Sequence, residues 1–362
     1  MSAKYAFGND PAKVDKFRAF WDRSPVDRPI IGFSLVGWFP LQYFAACKPW
    51  QVDDHITPEM IRPTEWLDDQ ELLLAEGEAI DDDMIRGACP TQVAFPVFLP
   101  AMLGSPIRVL PDNVIGEEMH LRWEEALAAG FDPTSPWLAK YLEFVRELAV
   151  KAAGRYPVSH GAEQGPTDLH AVLRGHNQSL IDLLDEPAKT SELLNNMAEI
   201  FSELTTAVWN ELPLYHDGYF DAQYQLWAPG PIIRMQEDAT AVYSPSLYRE
   251  LVQPVDRMVA RRFPNCFMHL HSTSMFLLDD FLGIEELRCL EINIEPFNLT
   301  VAQMVPYYKR VQAAGRSLLI RGSVTEEEMT LLLDTLDPRG LYLHIVVESV
   351  EEAHVLQRVA GM

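Results

Sequence analysis

The sequence predicts an α/β fold: a (β/α)8 TIM barrel forming one domain over residues 1–362, with an N-terminal helical extension over 1–28. Three observations carry this expectation. Short apolar runs alternate with longer amphipathic stretches, the pattern of a parallel sheet with helical crossovers. Eight such runs are present, the strand number of a barrel rather than an open sheet. The 48% hydrophobic content supplies a large core, and no repeat, low-complexity tract or linker interrupts the chain.

Residues 11–21 read as a surface helix with Phe17, Phe20 and Trp21 on its apolar face. A turn at Val26-Asp27-Arg28-Pro29 leads into a first strand at 29–34. Residues 38–49 read as an aromatic loop over a pocket. Thr57 and Pro58 open a helical region reaching residue 79 with a break at Pro63. The acidic run Asp81-Asp82-Asp83 reads as a solvated turn before a second strand at 84–86. Residues 90–111 form an apolar excursion. A helix over 136–153 precedes a third strand at 156–161 ending in His160. The loop carrying Gln164 follows, then helices over 169–184 and 188–211. The fourth strand is expected at 218–227, with a loop or short helix over 230–241. A helix over 246–262 leads to the fifth strand, which ends at His269. Strands at 288–294, 317–321 and 341–347 complete the set, followed by helices near 301–313, 326–336 and 350–359.

A barrel presents its chemistry at the C-terminal ends of its strands. That rule selects His160, Gln225, Trp227, His269, His271, Glu295, Arg321 and Glu348. His269 and His271, two apart on a strand, face the same side with Leu270 turned away. Paired imidazoles serve metal ligation, proton transfer or binding of an anionic or thiol substrate. Trp38, Phe39, Tyr43, Phe44, Phe95 and Phe98 are candidates to line an apolar pocket.

The net charge of −24, from 53 acidic and 29 basic residues, argues against nucleic acid and anionic membranes as partners. Four cysteines without C-x-x-C spacing fit a reduced, cytoplasmic protein, and no apolar run approaches a membrane span. An oligomer is compatible with this composition.

Val26-Asp27-Arg28-Pro29, Gly165-Pro166-Thr167-Asp168-Leu169 with Leu173-Arg174-Gly175, Leu183-Leu184-Asp185-Glu186-Pro187, Ser244-Pro245-Ser246-Leu247-Tyr248 with Pro254, and the strand ending in His269 occur in this order. Together they resemble the uroporphyrinogen decarboxylase superfamily across nearly the whole chain. The resemblance implies a barrel that is either a porphyrinogen decarboxylase or a methyltransferase working with a corrinoid protein. The decarboxylases carry an arginine-rich segment after the Val-Asp-Arg-Pro motif, whereas residues 30–40 here contain no arginine. A tetrapyrrole with eight carboxylates needs cationic partners, so the methyltransferase branch is the better match.

That branch implies zinc held by His-x-Cys at the fifth strand and a Cys at the last. Here His269 matches the first position, His271 replaces the second ligand and Glu348 falls near the third. His269, His271 and Glu348 therefore form the expected catalytic and metal-binding set, for zinc or another divalent ion. His160, Gln164, Gln225, Trp227, Glu295 and Arg321 are the expected substrate-binding residues. The methyl group would pass between a small-molecule donor or thiol acceptor and cobalamin carried by a separate partner protein. Two alternatives stand beside it: a decarboxylase, with Arg321, His160 and Arg174 holding a carboxylate, and a non-catalytic ligand-binding barrel.

Overall fold

A computed structural model describes residues 5–35, 44–90, 98–111, 113–295 and 298–362. Its strands in chain order are β1 (Ile30–Ser34), β2 (His55–Ile56), β3 (Ile107–Val109), β4 (Val114–Gly116), β5 (Tyr219–Asp221), β6 (Leu226–Ala228), β7 (Ile232–Gln236), β8 (Asn265–Leu270), β9 (Cys289–Asn293), β10 (Ser317–Gly322) and β11 (Leu341–Val346). Six of them form one parallel sheet in the order β1-β11-β10-β9-β8-β7. The helices Gln253–Arg262, Val301–Ala313, Glu326–Thr335 and Val350–Val359 alternate with its strands, as crossover connections require. No helix among the described residues is long and apolar enough to cross a membrane.

Strand alternation sends the two faces of this sheet into two separate apolar clusters. Ile31, Phe33, Ile233, Met235, Met268, Leu270, Leu290, Ile292, Leu318, Ile320, Leu343 and Ile345 pack with the helices on one face. Ile30, Ile232, Phe267, Cys289, Leu319 and Tyr342 pack on the other. This second cluster is covered by Val14, Phe17, Phe20 and Trp21 of helix Lys13–Asp22, and by the hairpin β5–β6. The N-terminal helix therefore closes one end of the inner cluster. Its anchors include the Trp21 indole, which donates to the Trp227 carbonyl at 2.8 Å.

The stretch between β7 and β1 is spanned without a continuous ladder among the described residues. Ala88 and Val158 form an isolated parallel bridge. The edge of β1 is satisfied largely by side chains. Ile31 N–H donates to Asp83 Oδ2 at 3.0 Å, and Phe33 N–H donates to Asp82 Oδ2 at 2.9 Å. Arg86 forks onto Asp82 at 3.0 and 2.8 Å, while Lys16 and Arg28 hold Asp83. The acidic run expected to be a solvated turn is thus corrected. Asp82 and Asp83 are buried because the orphan backbone donors of an edge strand and four nearby cations need them.

A second correction concerns the fourth parallel strand. It is β7, in the stretch read from sequence as loop or short helix, whereas residues 219–228 fold back as an antiparallel hairpin. Gln225 at the hairpin tip adopts φ 51°, and its side chain donates to and accepts from the Gly87 backbone at 3.1 and 2.7 Å. An insertion of this kind mimics a strand in sequence because its apolar residues also alternate.

The Gly165-Pro166-Thr167-Asp168 segment fastens helix Pro166–Arg174 against the exit of β7. Thr167 N–H donates to Glu237 Oε2 at 2.9 Å, and Ala239 N–H donates to Asp168 Oδ1 at 3.1 Å. Any Cβ at Gly165 would lie 1.5 Å from the Gln236 carbonyl oxygen. Gly165→Ala is therefore expected to cost about 3 kcal/mol by forcing backbone apart, read as a lowered unfolding midpoint. Gly154→Ala makes no such contact and separates this steric effect from the strain of its own positive φ of 74°.

Candidate metal centre

β8 is buried along its length and delivers His269 to its C-terminal end, with His271 just beyond. Leu270 joins the helix-facing cluster, so both imidazoles project to the inner side. The register aligns Gln236, His269 and Glu291 across β7, β8 and β9.

The two rings meet through their Nε2 atoms, 3.2 Å apart, with ring planes at 77°. Each Nδ1 is turned away onto a carboxylate. His269 Nδ1 contacts Glu291 Oε2 and lies 2.8 Å from the Tyr224 hydroxyl. His271 Nδ1 lies 2.5 Å from Glu295 Oε1, and Glu295 Oε2 accepts from the Ser272 hydroxyl at 2.8 Å and from Asn298 at 3.0 Å. Asp238 Oδ1 lies 3.7 Å from His271 Nε2, and Gln236 donates to the other oxygen of that carboxylate. Ligand atoms of Asp238, His269 and His271 all fall within 4.8 Å of one another.

This geometry fits a divalent metal. Zinc–nitrogen bonds of about 2.0–2.1 Å place two ligands of a tetrahedron about 3.3–3.4 Å apart, close to the observed Nε2 separation. With each Nδ1 held on a carboxylate, Nε2 is the ring atom that would face a metal, the outer arrangement that orients metal-binding histidines. Two imidazoles and one carboxylate leave a fourth position open.

In the metal-free chain the same surroundings put a second proton on His271, which a metal would have to displace. Donation by the protonated ring to Asp238 and then to Glu295 raises His271 to about 10. Burial opposes ionisation of Glu295, yet the His271 and Ser272 hydrogen bonds outweigh it and hold Glu295 at about 2. Burial, reinforced by the positive charge of Arg234, keeps His269 neutral. Burial lifts Glu291 to about 8 against the pull of Arg321 and Arg234.

The structure redistributes the residues expected from sequence. His269 and His271 come together, and Glu295 joins them as the partner of His271. Glu348 does not join them. It is exposed, and its backbone N–H donates to Glu352 Oε2 at 2.7 Å at the start of helix Val350–Val359. β11 ends at Val346, so Glu348 has already turned toward that helix. His344 is the last buried inward residue of β11, bonded to Ser34 Oγ at 3.1 Å and to the Tyr224 carbonyl at 3.2 Å. The third residue grouped with the Nε2 side of the imidazoles is instead Asp238.

Arg321 is buried on the inner face, in register with Asn293 and His344. His160 is buried, donates Nδ1–H to the Gly161 carbonyl at 2.7 Å and meets the Trp209 ring edge-on. Gln164 is half-buried in the loop before Gly165. Gln225 is committed to Gly87. Trp227 is corrected to a core residue: its indole donates to the Tyr215 carbonyl at 2.8 Å, and Arg18 lies over its ring. Arg174 forks onto Asp182 at 2.7 and 3.1 Å. Phe44 packs on Trp66, and Phe98 stacks on Tyr141, both in the core. Trp38, Phe39, Tyr43 and Phe95 lie outside the described residues.

Sequence reading missed Asp238, Tyr224, Arg234 and Glu291. A signal for Glu291 was present, since Glu291, Asn293 and Glu295 alternate with Leu290, Ile292 and Ile294 and so share the inner side.

No family model matches the chain, and no curated protein sequence matches it. Among solved structures, a methyltransferase from Methanosarcina mazei superposes with a TM-score of 0.64 at 14% identity, covering 99% of each chain. At that identity the likeness is one of fold: this chain shares the α/β architecture of that methyltransferase along its full length.

Proposed function

We propose that this chain is a methyltransferase of the uroporphyrinogen decarboxylase-like superfamily, built as a (β/α)8 barrel. It moves a methyl group between a small donor or thiol acceptor and a separate corrinoid protein. The observation that carries the reading is the opposed pair of Nε2 atoms, each ring anchored through Nδ1 on its own carboxylate. The full-length likeness in fold to a methyltransferase supports it.

His269, His271 and Asp238 would hold the ion. Glu291 and Tyr224 orient His269, and Glu295 orients His271. A bound zinc ion would act as a Lewis acid, favouring the thiolate form of a thiol or polarising an ether oxygen. The decarboxylase reading has less support, because Arg174 is locked on Asp182 and residues 30–40 carry no arginine.

Elemental analysis of the purified protein is expected to find about one divalent metal per chain. With that metal present, methyl transfer between methylcobalamin and small thiols, or from methoxyaromatics to Co(I)-cobalamin, is the expected activity. Protein that stays metal-free after reconstitution and transfers no methyl group across such a panel would sink the proposal.

A further inference from the structure

The segments Gly165-Pro166-Thr167-Asp168 and Ser244-Pro245-Ser246-Leu247-Tyr248 lie far apart in the chain, yet both close on Glu237, the residue before Asp238. Thr167 donates its backbone N–H to Glu237 Oε2 at 2.9 Å and its hydroxyl to the same oxygen. From the other side, the Asp256 and Glu237 carboxyls hydrogen-bond each other, and the Tyr248 hydroxyl donates to Asp256 Oδ2 at 2.5 Å. Tyr248 opens a π-helical turn, Tyr248–Val252, just before helix Gln253–Arg262, and such turns are frequent at functional sites.

Asp168 holds the residue on the far side of Asp238. Its Oδ1 accepts the Ala239 N–H at 3.1 Å, and its Oδ2 accepts the Gly165 N–H at 3.3 Å. The Glu237 carbonyl accepts from the Thr240 N–H at 3.0 Å and from the Thr240 hydroxyl at 2.6 Å. Asp238 is thus bracketed by two fixed neighbours, with one carboxylate oxygen 3.7 Å from His271 Nε2 and the other held by Gln236. Thr167, Asp168, Glu237, Tyr248 and Asp256 are all buried. Burying three carboxyls together is costly, because each opposes the ionisation of the others. What they supply in return is direction: hydrogen bonds restrict the backbone at 237–239 to one path, which apolar packing does less sharply.

We infer that Asp168 and Glu237 are positioning residues, holding the corner that presents Asp238 to a metal beside His269 and His271. This rests on the metal site of the methyl-transfer reading and adds what fixes its geometry.

The test titrates cobalt(II) into the full chain and reads affinity together with the visible d–d bands, which are intense only at low coordination number. Asp168→Ala should weaken binding roughly 10- to 100-fold, the usual effect of losing a group that orients a ligand, and should dim those bands. Asp168→Asn keeps an oxygen for the Ala239 N–H and should restore both. In an Asp238→Ala background, Asp168→Ala should cause no further loss, because the residue it positions is gone. Thr167→Val removes only the hydroxyl bond to Glu237. It serves if Asp168→Ala does not fold, with a smaller loss that likewise vanishes without Asp238. A lowered unfolding midpoint with unchanged cobalt affinity in these variants overturns the inference and leaves the metal reading standing. Equal losses with and without Asp238 also overturn it, as does wild-type affinity in Asp238→Ala. A wild type that binds no cobalt removes the metal reading and this inference with it.

Discussion

Replacing His271 with alanine is expected to weaken zinc binding by roughly 100-fold or more, taking a site worth on the order of 10 kcal/mol as shared among its ligands. The fold should survive, because the His271 side chain is 34% exposed and serves no apolar cluster. Glu295→Gln should weaken binding by about 10- to 100-fold, the usual effect of removing the group that orients a ligating imidazole. Glu348→Ala should change nothing, since Glu348 is exposed at a helix start away from the imidazoles. Competition against a chromophoric chelator measures all three. Proton linkage supplies a second readout. With His271 raised to about 10 in the metal-free chain, zinc must displace a proton across the neutral range. Apparent affinity should therefore rise about tenfold per pH unit between roughly pH 7 and 9. A flat affinity over that interval, or an intact site in His271→Ala, would remove His271 from the ligand set.

What the sequence made legible follows from how local each signal is. The imidazole pair was readable because two residues on one buried strand share a face whatever the rest of the chain does. Glu295 was readable because it leaves the next strand at the same rim. The carboxylate that completes the cluster was not. Its assignment required knowing which strand enters the ladder beside β8, and the hairpin β5–β6 imitates that strand while β7 supplies it. Once β7 is in place, Asp238 follows two residues after the pairing of Gln236 with His269. The position of Glu348 depended on where β11 ends, and strand ends vary by a residue or two in any reading from sequence. Tyr224 is harder still. It reaches His269 from a hairpin folded against the inner cluster, a contact spanning 45 residues with no periodicity to announce it. The inner face was visible as alternation, but the polar group gathered above its apolar layer was visible only in three dimensions.

The metal-free protein is expected to be most stable on the acidic side, near pH 4–5, and to lose at least about 2 kcal/mol between pH 5 and pH 8. Four buried carboxyls drive this. Burial raises Asp168 and Asp256 to about 7, and Glu163 and Glu291 to about 8. A folded-state pKa above the unfolded value means that the folded chain holds more protons in between. Stability is then fully present below the unfolded pKa of about 4 and is lost as pH climbs through 7 to 8. His271 acts in the same direction over a higher window, from about 6.5 up to about 10. The opposing groups include Glu295, held at about 2, together with Asp83, Asp182 and Asp238, which are also held down; their contribution is present above about 4 and fades as pH falls. The two windows meet in the acidic range, and the net charge of −24 adds repulsion above it. Asp256 offers the sharpest test, because the Tyr248 hydroxyl already donates to its Oδ2 at 2.5 Å and asparagine can accept the same bond. Asp256→Asn should match the wild type near pH 5, exceed it at pH 8 and show a shallower dependence between them. Guanidinium unfolding of chelator-treated protein across pH 4–9 measures both curves. A wild-type optimum at pH 7–8, or parallel slopes in the two proteins, would mean that these carboxyls ionise within the fold at little cost.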